Sequence, residues 1–160
     1  MSQTVQISEV REFMSRHLTD VFDTMLSMKA VLVPQAVAPS FGERVSGSVG
    51  FAGETVTGAV YLHLSAPFAN RVAAAMLCLP PEEIAGETDV NDVVGEATNM
   101  LTGGLKSWLC DAGADCAVST PAIIRGAAFN IECMEDVQRE CLVFDCGQER
   151  LVVEVHIKFN

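Results

Sequence analysis

Residues 89–109 read Asp-Val-Asn-Asp-Val-Val-Gly-Glu-Ala-Thr-Asn-Met-Leu-Thr-Gly-Gly-Leu-Lys-Ser-Trp-Leu. On a helical wheel at about 100° per residue, Val90, Val93, Val94, Ala97, Met100, Leu101, Leu105 and Trp108 gather on one broad side. Asp92, Glu96, Asn99, Gly103 and Lys106 fall within an arc of about 80° on the other side. The spacing predicts an amphipathic helix from about Asp89 to Leu109, stopped near Gly113. A helix with so wide an apolar stripe must lie on another layer, so the neighbouring segments decide the fold class.

Both flanks carry strand signals. Upstream, Arg44 to Phe51 and Val56 to Leu64 read as a hairpin around Ala52-Gly53-Glu54-Thr55, with Val60, Leu62 and Leu64 alternating on one face. Downstream come Ala117 to Ser119, then Pro121 and Ile123-Ile124, and a less regular segment to Met134. The last 20 residues are a clear hairpin half. Leu151, Val153, Val155, Ile157 and Phe159 alternate with Val152, Glu154, His156 and Lys158, opposite a strand around Cys141 to Cys146, with Gly147 in the turn.

Two more helices complete the reading. Ile7, Val10, Phe13, Met14, Leu18, Val21, Phe22, Met25 and Leu26 repeat at helical spacing within residues 5–28. Pro67 suits a helix start, Ala69 to Leu77 is Ala-rich, and Leu79-Pro80-Pro81 ends that run. Pro34 and Pro39 leave Ala30 to Phe41 extended. No linker or charge block divides the chain. The expectation is one α/β (α+β) domain over residues 1–160, a mixed and largely antiparallel sheet packed by long helices.

The polar side of the 89–109 helix has a composition that helix stability alone does not explain. Gly95, Gly103 and Gly104 lie in its interior, where each costs up to about 1 kcal/mol relative to Ala. Asn99 is also a poor mid-helix residue, because its short amide competes for backbone hydrogen bonds. Gly95 and Gly103 border the row of Asp92, Glu96 and Asn99 and are expected to smooth the surface for another molecule. Gly104 points toward the packed side, for close helix–sheet contact. Glu96 and Asn99, neighbours at i and i+3, present one carboxylate and one amide. Taken alone, the pair reads as a solvated helix face. The glycines and Pro121 turn the reading toward a contact surface.

The run Asp92-Val93-Val94-Gly95-Glu96-Ala97-Thr98-Asn99-Met100-Leu101, with Gly103-Gly104 and then Ser119-Thr120-Pro121, resembles the signature of the CheX/CheC/FliY chemotaxis phosphatases. Pro121 follows Asn99 by 22 positions, as that signature has it. The order of elements also looks like CheX, and a single motif copy is CheX-like. The resemblance implies dephosphorylation of the phospho-aspartate of a CheY-like response regulator. Glu96 and Asn99 would be catalytic, with Asp92, Gly95 and Gly103 contacting the partner. It implies no cofactor of the chain's own, Mg²⁺ being supplied by the regulator, and it suggests a homodimer. The alternative on the same fold is a non-catalytic regulator-binding or flagellar-switch-like interaction module.

Composition bounds the remaining functions. Apolar residues are 49% and charged residues 19% of the 160, ordinary globular values. A net charge of −11 disfavours nucleic acid and anionic membrane surfaces as partners. No secretory leader and no membrane span is expected from the apolar runs, so the reading is cytoplasmic. Six cysteines form no Cys-x-x-Cys pair and lie apart from the three histidines, so no metal site is expected and the thiols read as small buried hydrophobes. His17 reads as an imidazole packed beside the apolar face of its helix. Pro121 reads as structural, and Lys106 as a surface lysine. His63 and His156 sit in predicted strands, with no nearby Ser or Asp arrangement to argue for a triad.

Overall fold

In the computed structural model, which describes residues 4–160, helix α1 spans Ile7–Leu26. Met1 to Gln3, part of the stretch read against a secretory leader, lie outside the described residues. Gln6 N–H donates to Glu9 Oε2 at 2.8 Å, half of a capping box that satisfies an otherwise orphan donor at the helix start. The helix buries Val10, Met14, Leu18, Val21, Phe22 and Leu26, whereas Met25, on the same stripe, is half exposed in the last turn.

The sheet contains β1 (Ala30–Leu32), β2 (Arg44–Ala52), β3 (Val56–Ser65), β4 (Ala117–Val118), β5 (Ala122–Gly126), β6 (Gln138–Cys146) and β7 (Glu149–Phe159). Its order is β1-β6-β7-β3-β2-β4, with β5 also on β2, and every pair is antiparallel. The strand β1 falls in the segment expected to be merely extended. It is three residues long and pairs with the distant β6, a partner that no local pattern reveals. Gly147 takes φ +63° in the tight β6–β7 turn, a conformation that costs glycine least.

Alternation assigns the two sheet faces. Val45, Phe51, Val60, Leu62, Leu64, Leu142, Phe144, Leu151, Val153, Val155 and Ile157 join the buried side chains of all three helices in one core. Helix α2 (Ala66–Leu77) begins with Ser65 Oγ accepting from Phe68 N–H at 3.2 Å and ends at Cys78 in the left-handed region. A short 3₁₀ turn (Pro81–Glu83) then leads to α3 (Glu87–Asp111), the longest helix of the described residues. Gly113, at φ +89°, closes α3, and Ala114 N–H returns to Leu109 O at 2.8 Å. Of the cysteines, Cys146 alone among the described residues is buried. Cys78 is exposed and the other four are partly covered, so the expectation of buried thiols holds fully only at Cys146. Among the described residues, no helix is long and apolar enough to cross a membrane.

Candidate functional site: an acid–amide ridge on the third helix

Helix α3 crosses the sheet above β2 and β3 and also packs on α1 and α2. Of the predicted stripe, Val90, Val93, Val94, Ala97, Leu101 and Leu105 are buried, with Leu109 beside them, whereas Met100 and Trp108 are only partly covered. Glycine in the sheet permits the close approach. A Cβ built on Gly47 of β2 would lie 1.9 Å from Thr98 Oγ1 and 2.9 Å from Thr98 Cβ. Thr98 is fully buried there and donates to Val94 O at 2.7 Å. Glycine at position 47 and threonine at position 98 therefore fix the height of the helix above the sheet.

The opposite side of the same turns faces outward. Asp92 and Glu96 are exposed and Asn99 is half exposed. The side-chain hydrogen bonds of α3 are made elsewhere. Asp89 Oδ2 accepts from Ala85 N–H, Asn91 Oδ1 accepts from Arg125 Nε–H at 2.9 Å, and Thr102 Oγ1 donates to Thr98 O. Among the described residues, none of these bonds involves Asp92, Glu96 or Asn99. A carboxylate and an amide one helical turn apart thus stand free, with both the donor and the acceptor capacity of the amide unspent.

The glycines divide into three roles. A Cβ on Gly103 would meet nothing within 4 Å, so this residue leaves open space on the ridge, as expected. Gly95 departs from the expectation. It is buried, and a Cβ there would touch the Pro121 ring at 3.4 Å, so it seats the β4–β5 connection rather than smoothing an outer surface. The wheel put Gly95 at the border of the polar arc but could not show that Pro121 closes over that flank. Gly104 packs closely, though on α1 rather than the sheet: a Cβ would lie 2.1 Å from His17 Nε2. His17 is accordingly packed, stacked on Phe13 at 5.3 Å between centroids and 3.2 Å from Met100 O. Pro121 is exposed and flanks α3. Lys106 is partly exposed near the end of α3.

Tertiary structure also assembles a group that sequence spacing concealed. On the sheet face away from the helices, Ser46 Oγ is 2.6 Å from His63 Nδ1, and His63 Nε2 is 3.3 Å from Glu154 Oε1. His156 Nε2 is 3.0 Å from Glu154 Oε2, and Arg139 Nε–H donates to the same oxygen at 3.1 Å. The histidines therefore do have Ser and carboxylate neighbours, brought by strand register from positions 17 and 91 residues away from His63. Burial would push the Glu154 carboxyl up, but His63, Arg139 and His156 more than offset it and hold it at about 2. The His63 contact at 3.3 Å is electrostatic, since its Nε2 lacks an aligned hydrogen bond. Ser46 is fully buried and His63 is 1% exposed, so no substrate reaches this hydroxyl. The cluster is a buried polar network of the sheet. Among the described residues, no group of three or more His, Cys, Asp or Glu side chains is placed to hold a metal ion.

Known proteins share this fold, and the model of one family matches the sequence. A family model described as "Chemotaxis phosphatase CheX" matches residues 45–145. The structure is similar to that of the chemotaxis protein CheX from Vibrio vulnificus, with a TM-score of 0.79 and 24% identity, over 97% of this chain and 100% of that one. It is similar to a CheC-like superfamily protein from a Shewanella species, with a TM-score of 0.77 and 26% identity, over 96% and 99% of the two chains. It also resembles a chain in the complex of CheX, CheY, BeF3 and Mg²⁺ from Borrelia burgdorferi, with a TM-score of 0.75 and 20% identity, over 92% and 97%. No curated protein sequence matches the chain.

Proposed function

The chain belongs to the CheX family of chemotaxis phosphatases, and from that premise we propose that it removes the phosphate from the phospho-aspartate of a CheY-like response regulator, with residues 1–160 acting as one phosphatase domain. The carrying observation is the ridge of α3. Glu96 and Asn99 stand one turn apart, outward-facing, and without intramolecular partners among the described residues. One structural neighbour comes from a complex of CheX with CheY, which supports a receiver domain as the partner.

The chemistry asks little of this chain beyond position. Phosphoryl transfer passes through a loose transition state in which attacking and leaving oxygens lie roughly in line, so holding the water and excluding misoriented attack supply most of the acceleration. Asn99 accepts a hydrogen bond from the attacking water through Oδ1 and sets its angle with Nδ2–H, which a neutral amide does without a strong base. Glu96 pairs with a regulator lysine through a charge-assisted hydrogen bond and fixes the register of docking. Asp92, a turn before Glu96, contacts the edge of the partner, and Gly103 leaves room for it. Gly95 contributes indirectly, by letting Pro121 seat against the helix. When bound, Mg²⁺ belongs to the regulator and neutralises the phosphoryl charge there. The protein acts in the cytoplasm as a homodimer, an oligomeric state that light scattering at low protein concentration would read.

The test is to mix purified protein with a phosphorylated receiver domain and follow phosphate loss. Asn99→Ala is expected to lower kcat by about 10²-fold with docking retained, since the lost interaction is made in the transition state. Glu96→Gln is expected to raise KM more than it lowers kcat. Equal rates for wild type and Asn99→Ala would remove Asn99 as the water-positioning group. Tight binding of the phosphorylated receiver with no faster decay would mark a non-catalytic interaction module instead.

A further inference from the structure

Asn99 sits next to the weakest part of its own helix. Gly103 and Gly104 follow it by one turn, and each lowers local helix stability by about 1 kcal/mol relative to Ala. Catalysis by positioning requires the reverse, an amide held within a fraction of an ångström. Something other than helix propensity must stiffen this turn.

The structure supplies one donor from α1. His17 enters the space a Gly104 side chain would fill, its Nε2 lying 2.1 Å from where that Cβ would stand. From there the ring nitrogen is 3.2 Å from Met100 O, the carbonyl immediately after Asn99. In the helical ladder this carbonyl is the acceptor for the Gly104 N–H, and its second lone pair is free for the imidazole. A carbonyl can only accept, so His17 carries its proton on Nε2. The imidazole is itself held, stacked on Phe13 with centroids 5.3 Å apart, and Phe13 stacks on Trp108 of α3 at 5.3 Å. On the wheel, Met100 and Gly104 lie about 100–140° around the helix from Asn99, so His17 acts behind the ridge without touching it.

We propose that His17 is a positioning residue that pins the Asn99 turn of α3 through Met100 O, with glycine at position 104 making room for it. Its catalytic consequence rests on the phosphatase reading above, whereas the pinning itself does not. The loss of side-chain volume at Gly104 and the gain of a hydrogen bond from another helix then serve one end. They exchange local helix propensity for a tether at the residue that needs it.

The test compares wild type with His17→Gln, whose Nε2–H reaches a similar point, and His17→Leu, which keeps the packing volume but has no donor. The first readout is amide exchange at residues 103–105, with the His17 tautomer observed by ¹⁵N NMR. Expected are an Nε2-protonated ring, exchange at least tenfold faster in His17→Leu, and protection recovered in His17→Gln. Equal protection in wild type and His17→Leu, or an Nδ1-protonated neutral ring, overturns the proposal. The second readout is kcat on a phosphorylated receiver domain. A fall of about tenfold in His17→Leu, with KM little changed and rescue by His17→Gln, supports positioning. An active wild type matched in kcat by His17→Leu overturns it. Should wild type fail to accelerate phosphate loss, the phosphatase reading falls, and the exchange data alone decide whether His17 pins the helix.

Discussion

Replacing Gly47 by Ala places one methyl group beneath the two site residues and tests how the ridge is held. The new Cβ would stand 1.9 Å from Thr98 Oγ1, 2.9 Å from Thr98 Cβ and 3.2 Å from Val94 O. An ordinary contact needs about 3.4 Å or more, so the hydroxyl must retreat by roughly 1.5 Å. Rotating Thr98 sacrifices its bond to Val94 O and still leaves the Cβ contact too short. The strands on either side of Gly47, β3 and β5, are both paired to it and resist displacement. The helix therefore moves, and it carries Glu96 and Asn99, which flank Thr98. A displacement of about 1 Å at a positioned group costs on the order of 10²-fold in rate. Overpacking adds about 1–3 kcal/mol of destabilisation, read as a Tm lowered by about 2–4 °C per kcal/mol. The assay is phosphate loss from a phosphorylated receiver domain, run well below the variant's Tm, with a thermal melt alongside. Adding Thr98→Ala lengthens the tightest contact from 1.9 to 2.9 Å and is expected to restore part of both losses. A Gly47→Ala protein with wild-type rate and wild-type Tm would refute the claim that this contact sets the ridge.

Gly103 and Gly95 separate stability from docking. Gly103→Ala meets no neighbour within 4 Å, so it is expected to raise stability by about 0.5–1 kcal/mol while weakening receiver binding in a titration, because the methyl occupies the open surface. Gly95→Ala meets Pro121 at ordinary contact distance and is expected to leave receiver binding unchanged; equal weakening by both substitutions would return Gly95 to the contact surface. Glu154 predicts an acid response. Its carboxyl is depressed from the ordinary 4.5 to about 2, so its stabilisation is complete above about pH 4.5 and is lost as pH falls through about 2. The amount is of order 3 kcal/mol, and denaturant melts of wild type and Glu154→Gln should differ most at neutral pH and converge toward pH 2. A constant difference across that range would contradict the proposed network.

Periodicity settles a feature when the forces that shape it are local. The stripe of α3 from Val90 to Leu109, the alternation of β7 and the turn at Gly147 follow from burial of one side of a regular backbone, so the helices and both hairpins were legible in the chain. So was the outward row of Asp92, Glu96 and Asn99, because three residues on one side of a helix stay together whatever the helix packs against. Three-dimensional neighbours decided the rest. Strand β1 exists because β6 offers it an edge, and Gly95 is a seat for Pro121 because a connection 26 residues later folds over it. Ser46, His63 and Arg139 meet the Glu154–His156 pair, itself two residues apart on one face of β7, because antiparallel register sets distant positions side by side, and no spacing along the chain encodes that meeting. The same holds for His17 at Met100. Sequence determines which groups a backbone element presents, through the period of that element. Only the packing of elements determines which of those groups water reaches and which find partners.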